Sequence, residues 1–252
     1  SNHNLKMHQK LKWSLILAGV IIVSSLAIWG VWVLAKSHRN SQKEKLNGKL
    51  IGWVIEASDE VVEEFAEKKG RKVLEDTALV TEITGTLTIA DFTDDNVTNL
   101  IDAVADNVTA KNKQKITDLR TNSKIGSVKD KANAIKPEKI KAVAEGIIKD
   151  LTVKAVQNEL EEKCKSAAKF VTKDAVKNVV EKGFDDRDDK INISKEAKKA
   201  AIKVTEEFND EKFTTLKGTI KADAKESLKR SENSIIKVII YSAIKITAGV
   251  SE

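Results

Sequence analysis

Beyond residue 50, apolar residues recur every three or four positions over most of the chain, the period of a helix with one buried face. The first stripe is Leu50, Val54, Ala57, Val61 and Phe65. Asp59, Glu60, Glu63 and Glu64 come early and Lys68, Lys69, Arg71 and Lys72 late, which suits a helix macrodipole running from about Ser58, a candidate N-cap. A second helix is expected after Thr93 or Asp94, with Val97, Ile101, Val104 and Val108 as its stripe. Ile116, Leu119, Ile125, Val128 and Ile135 follow more sparsely among very polar residues. That thinning predicts breaks near Gly126 and Lys136, with Pro137 in the first turn of a fresh helix.

The cleanest periodicity is Val153, Val156, Leu160, Cys164, Ala167, Val171 and Ala175. Its steps average about 3.67 residues, an eleven-residue repeat that stays on one side of a straight helix. A stripe this narrow predicts another helix as its partner, and these seven residues are the expected interface, internal or between subunits. Gly183 can end that helix. Ala197, Ala201, Val204 and Phe208, then Leu216, Ile220, Ala224 and Leu228, carry helical spacing to about Arg230. Residues 234–250 are strongly apolar and read as a helix with Ser234, Lys237, Tyr241 and Lys245 on a narrow polar face. Eight Ile and Val there favour insertion by about 2.4–4.8 kcal/mol, roughly cancelled by the two lysines. A helix lying in a membrane plane or buried against protein is therefore expected, and not a span.

Two stretches depart from the pattern. Residues 77–92, TALVTEITGTLTIADF, are rich in β-branched residues, and Leu79, Ile83, Leu87 and Ile89 share one side of an alternating pattern, so a short β element around 79–90 competes with helix. Residues 13–35, WSLILAGVIIVSSLAIWGVWVLA, contain no charge and are closed by Lys12 and Lys36. As a helix they reach ~34 Å, enough for a hydrocarbon core of ~30 Å. Trp13, Trp29 and Trp32 lie near the edges, where indole prefers the headgroup boundary. Val33, Leu34 and Ala35 could pass as a signal-peptide cleavage site, but the apolar core is longer than that type carries.

The expected fold is mainly α: a single N-terminal transmembrane helix followed by an extended amphipathic-helical stalk, coiled coil or bundle. The divisions are a basic tail (1–12), the span (13–35), a basic juxtamembrane linker (36–49), the helical region (50–233) and the C-terminal apolar segment (234–250). Charged residues make up 33% and aromatics 4%, which suits narrow stripes better than a thick core.

Charge sharpens this by region. Residues 1–55 carry +7, 56–110 carry −10 and 111–149 carry +7. An acidic block followed by a basic one suits a folded-back helical pair or a subunit contact, and a nucleic-acid binder would have little reason to keep the acidic block. The basic flanks at both ends of 13–35 leave the orientation in a membrane open.

Candidate chemistry is sparse. The only histidines are His3, His8 and His38, so no imidazole base or ligand is available past residue 38. Cys164 is the only cysteine and sits on an apolar stripe, where a buried thiol is expected. The sequons at Asn96, Asn107 and Asn192 are about what chance gives, and P-loop, dinucleotide, HExxH and GxSxG motifs are missing.

FDDRDDKINISKEA resembles an EF-hand loop, with Asp185, Asp189 and Glu196 as weak calcium candidates. Starting at Asp185 puts Glu196 at position 12 but Arg187 at 3 and Lys190 where the loop needs glycine. An acidic interhelical turn with Ser194 capping the next helix accounts for the same residues.

No cofactor is expected. The reading these features support is a membrane-anchored structural or tethering protein. Its partners are the lipid bilayer and other protein subunits, homo- or hetero-oligomeric, for example in linking a membrane to a shell, coat or virion capsid. The alternatives are a membrane-bound adaptor or sensor with a calcium-binding loop at 185–196, or a carboxylate-based enzyme whose site uses only carboxylates and lysines.

Overall fold

The computed structural model describes residues 40–182 and 185–250; the apolar stretch 13–35, with its flanking Lys12 and Lys36, lies outside them. Among the described residues the chain is mainly helical, with no strand, and no helix is long and apolar enough to cross a membrane. In order the helices are α1 (Asn40–Leu74), α2 (Thr77–Thr84), α3 (Asp94–Asn107), α4 (Ala110–Thr117), a 3-10 turn (Asp118–Arg120), α5 (Asn122–Lys182), α6 (Asp186–Glu206), α7 (Asp210–Arg230) and α8 (Glu232–Ala248).

Side-chain caps set several of these starts by accepting bonds from amides that have no intrahelical partner. Asp76 accepts from the Leu79 N–H at 3.1 Å, Thr93 from Asn96 at 3.2 Å and Asn209 from Lys212 at 3.0 Å. Asp185 accepts from both Arg187 and Asp188, at 2.9 and 3.0 Å. At the far end, α8 closes on Gly249 in the left-handed region, φ 65°. The Gly249 N–H reaches the Ile246 carbonyl and the Val250 N–H the Lys245 carbonyl, the paired bonds of a Schellman motif.

The described chain divides into two compact units. Unit one takes α1 up to Glu64 together with 158–208, and unit two takes 65–157 together with the residues from Asn209 onward.

In unit one, Leu50, Trp53, Val54 and Ala57 of α1 bury themselves with Ile193 and Ala197 of α6, and Leu46, Val171 and Ala175 pack against that cluster. Lys198 pairs with Glu60 at 2.8 Å, and Lys190 approaches Glu56 at 3.9 Å.

In unit two, α2 packs on α7, and α3 packs on α4 and α8. Ile101, Ile116, Ile148, Ile220, Leu228, Ile239, Ile240 and Ile244 are fully buried. Ion pairs tie elements far apart in sequence: Asp76 to Lys217 at 3.1 Å, and Glu82 to Lys221 and Lys225 at 2.5 and 2.7 Å. Within this unit α1 and α5 approach closely at Gly70, where a Cβ would lie 3.0 Å from Val153 Cγ2.

Several expectations are corrected. The β element around 79–90 is not formed: 77–84 is helix α2, because Asp76 caps it and Leu79, Val80 and Ile83 bury on a helical period. Leu87, Ile89 and Phe92 beyond it are buried in irregular chain, and the Ile89 carbonyl accepts from the Lys136 ammonium at 3.3 Å instead of from a neighbouring strand.

The breaks near 126 and 136 are also absent, since α5 runs unbroken through Gly126 and Pro137. Val128, Ala132, Ile140, Ala144 and Ile148 keep a buried row along it, and Pro137 sits on the exposed side. The carbonyl four residues before Pro137 belongs to exposed Asn133, where water can replace the bond that proline cannot donate.

Ser58 is not an N-cap. Helix α1 starts at Asn40, and buried Ser58 donates to the Val54 carbonyl at 2.8 Å from mid-helix. Ser194 likewise lies inside α6, which Asp185 caps.

Residues 234–250 form the expected helix. Ser234, Lys237 and Tyr241 are exposed, Lys245 is half-buried, and Ile235, Ile239, Ile240 and Ile244 are covered by protein. Val238 and Ile246 on the same helix are exposed.

Candidate interaction surface

The seven residues of the stripe expected to form an interface differ in burial. Val156 in unit two and Leu160 and Cys164 in unit one are buried; Val153, Ala167, Val171 and Ala175 are half-buried. Burial, with Asp59 nearby, pushes the Cys164 thiol above its usual range, so little reactive thiolate forms.

Helix α6 separates Glu196 from the other two calcium candidates, Asp185 and Asp189. Asp185 caps α6, and the Asp188 and Arg187 N–H groups hold its carboxyl below the usual range. Asp189 accepts from the Asp185 N–H at 2.8 Å, and Glu196 is occupied by Lys199 at 2.7 Å, which lowers its carboxyl as well. Seven residues of helix set Asp189 and Glu196 ~10 Å apart along the axis, too far to share one cation. The EF-hand-like loop expected at 185–196 is thus a helical first turn and body. Among the described residues, no group of three metal-ligating side chains stands together.

A polar cleft of about 460 Å³ in unit two is lined by Asp91, Asp94, Asn122, Gly126, Lys129, Asp130 and Asn133. Lys129 pairs with Asp94 at 2.7 Å, and the lining carboxylates are exposed. A carboxylate enzyme wants a desolvated carboxyl, which this cleft does not offer.

Among the described residues a few large apolar side chains on the helices stay open to solvent. In unit one Ile51 and Ile55 of α1 are 40% and 45% exposed, joined by Phe170 on α5 and Ile191 and Ile202 on α6. Gly48, Ile51, Gly52 and Ile55 are spaced three and four apart, so they form one face of α1. At about 100° per residue this face lies opposite the buried Leu50, Val54 and Ala57. Lys49 and Glu56, two turns apart, border the face on one edge. Lys49 stacks 5.4 Å from the Trp53 ring, and Glu56 is 72% exposed.

The chain matches no family model, no curated protein and no solved structure. Function therefore has to be argued from these surfaces.

The exposed α1 face is absent from the sequence expectation because two helical phases overlap between 46 and 57. Leu50, Val54 and Ala57 give the stronger stripe, and two glycines dilute the second. The signal was the glycine pair four apart with an isoleucine three residues after each.

Proposed function

We propose that the chain is a membrane-anchored structural or tethering protein, held by residues 13–35 and acting through helical surfaces that other protein subunits cover. Its work is interaction rather than chemistry. The observation that carries this reading is the Gly48–Ile55 face, an apolar surface at helical spacing on the side of α1 that its own unit does not use. Large exposed aliphatic side chains grouped on one face, unlike scattered single ones, are characteristic of contact surfaces. Support for the anchor comes from the uncharged stretch of 23 residues, 12 of them Leu, Ile or Val, which favours insertion by about 4–7 kcal/mol. Linking a membrane to a shell or coat is one setting that such a chain fits.

The full chain, expressed in cells, is expected to stay with the membrane after an alkaline carbonate wash. Val23→Asp combined with Leu26→Asp should release it, since each aspartate opposes insertion by about 2.5–3.5 kcal/mol. Release of the unaltered chain by the wash would remove the anchor from the account.

A further inference from the structure

We infer that the Gly48–Ile55 face of α1 pairs antiparallel with the same face of a second copy of this chain. The inference rests on the reading that other subunits cover these helices, and it names one such subunit. It begins with the two glycines. A Cβ at Gly48 or at Gly52 would meet nothing within 4 Å, so packing within the chain requires neither, in contrast to Gly70 against Val153. Mid-helix glycine is unfavourable for the helix itself. What small residues a turn apart permit is close approach by another helix. Gly126, Gly146 and Gly218 are open too, but none has a second glycine one turn away.

The face is complementary to itself in one direction. A twofold axis between Ile51 and Gly52 sets Ile55 against Gly48 of the second copy and Ile51 against Gly52, so each exposed isoleucine meets a position without a side chain. A parallel pair would instead stack glycine on glycine and isoleucine on isoleucine, leaving gaps between crowded layers. Charge selects the same direction. In an antiparallel pair the same edge of each helix meets, which brings Lys49 within ~3 Å along the axis of the level of the partner copy's Glu56. Exposed ion pairs of this kind set orientation more than affinity, whereas the isoleucine-on-glycine contacts supply the attraction. The arrangement is isologous and closed. It separates the two Asn40 ends by ~35 Å along the axis.

Disulfide trapping in the full chain, in mild detergent and with Cys164→Ala as background, reads the geometry. Gly52→Cys alone should cross-link, because it lies beside the axis. Gly48→Cys and Ile55→Cys on differently tagged chains should cross-link to each other, while Gly48→Cys alone and Asp59→Cys alone should not. Homotypic disulfides at 48 and 59 would mean a parallel pair, and no disulfide at any position would mean no pair; either overturns the inference. A second readout guards against a folding artefact. Gly52→Leu places its side chain in open space, so helicity should hold while the dissociation constant of the dimer rises at least tenfold by sedimentation. An unchanged dimer would overturn the inference as well. Failure of these tests with the carbonate result intact would leave the anchored reading standing, and the converse outcome would leave the pair standing without its membrane.

Discussion

Unit one and unit two are built from the same kind of sequence yet close their surfaces differently. In unit two the long aliphatic side chains of α3, α7 and α8 are buried together, and its exposed large apolar residues are Val238, Tyr241 and Ile246, all on α8. Tyr241 is in turn covered by the Lys245 ammonium, 4.9 Å from its ring. Unit one has a core built around Leu50, Trp53, Val54, Ala57, Ile193 and Ala197, and exposes Ile51, Ile55, Phe170, Ile191 and Ile202 on three helices. Unit two ties α2 to α7 with ion pairs between distant residues and caps the starts of α2, α3 and α7 with side chains. Unit one keeps apolar area in water, which is costly at about 25 cal/mol per Å² unless something covers it. The proposed division of labour follows: unit two holds shape, and unit one makes contact.

The largest expected effect tests whether the cores are what they seem on this comparison. Ile239→Ala in unit two and Leu160→Ala in unit one each remove a fully buried side chain and should cost about 2–5 kcal/mol by urea denaturation. Ile55→Ala, measured dilute enough to keep the chain monomeric, should cost under about 0.5 kcal/mol. Equal losses at Ile239 and Ile55 would erase the distinction between the units.

Next is the ion-paired seam of unit two. Removing the α2 cap with Asp76→Ala should cost about 0.5–2 kcal/mol. The seam also makes this unit sensitive to acid. Asp76 is held below the usual carboxylate range by the Leu79 N–H and by Lys217, and Glu82 by Lys221 and Lys225. Carboxyls lowered in the folded state contribute stability above their unfolded pKa values of about 3.9 and 4.3, and lose it as pH falls through the lower folded values. The melting temperature should therefore drop below about pH 4, and by less in Asp76→Asn/Glu82→Gln, which lacks the titrating groups. An identical acid drop in that variant would show that the seam does not matter.

The smallest effect is on the outer side of α5. Lys165 pairs only with Glu161 and Glu162 on its own helix, and all three are exposed. Lys165→Ala should leave the urea midpoint essentially unchanged. A loss comparable to that of Leu160→Ala would mean that the buried face of α5 has been assigned wrongly.

Where the sequence was legible, the burial pattern used large aliphatic residues. The polar face of α8 and the stripe through Val97, Ile101 and Val104 are found as the spacing implies. It was misleading where small or β-branched residues carried the register. Ala132 and Ala144 bury completely and hold α5 together past Pro137, yet alanine among lysines reads as solvent-facing. The threonines of 77–84 argue for strand locally, but Thr84 satisfies its hydroxyl on the Val80 carbonyl and the Asp76 cap settles the segment as helix. In 185–196 clustered carboxylates imitated a cation loop, although their first member is a cap and their last is bound to a lysine one turn away. The contact face of α1 was hidden for another reason: a helix with apolar residues on two opposite sides has a weak amphipathic signature, so the outer face is apparent only once the inner one is known to be covered.

The central claim is the proposal that a second copy covers the outer face of α1, for which Val238 of α8, 50% exposed, serves as the reference. Alkylation of single cysteines on the membrane-bound full chain tests it, with Ile55→Cys compared against Val238→Cys as the surface density of protein is raised. The account predicts that labelling at 55 slows at least tenfold at high density while labelling at 238 is unchanged. Equal labelling of the two sites at every density would contradict it.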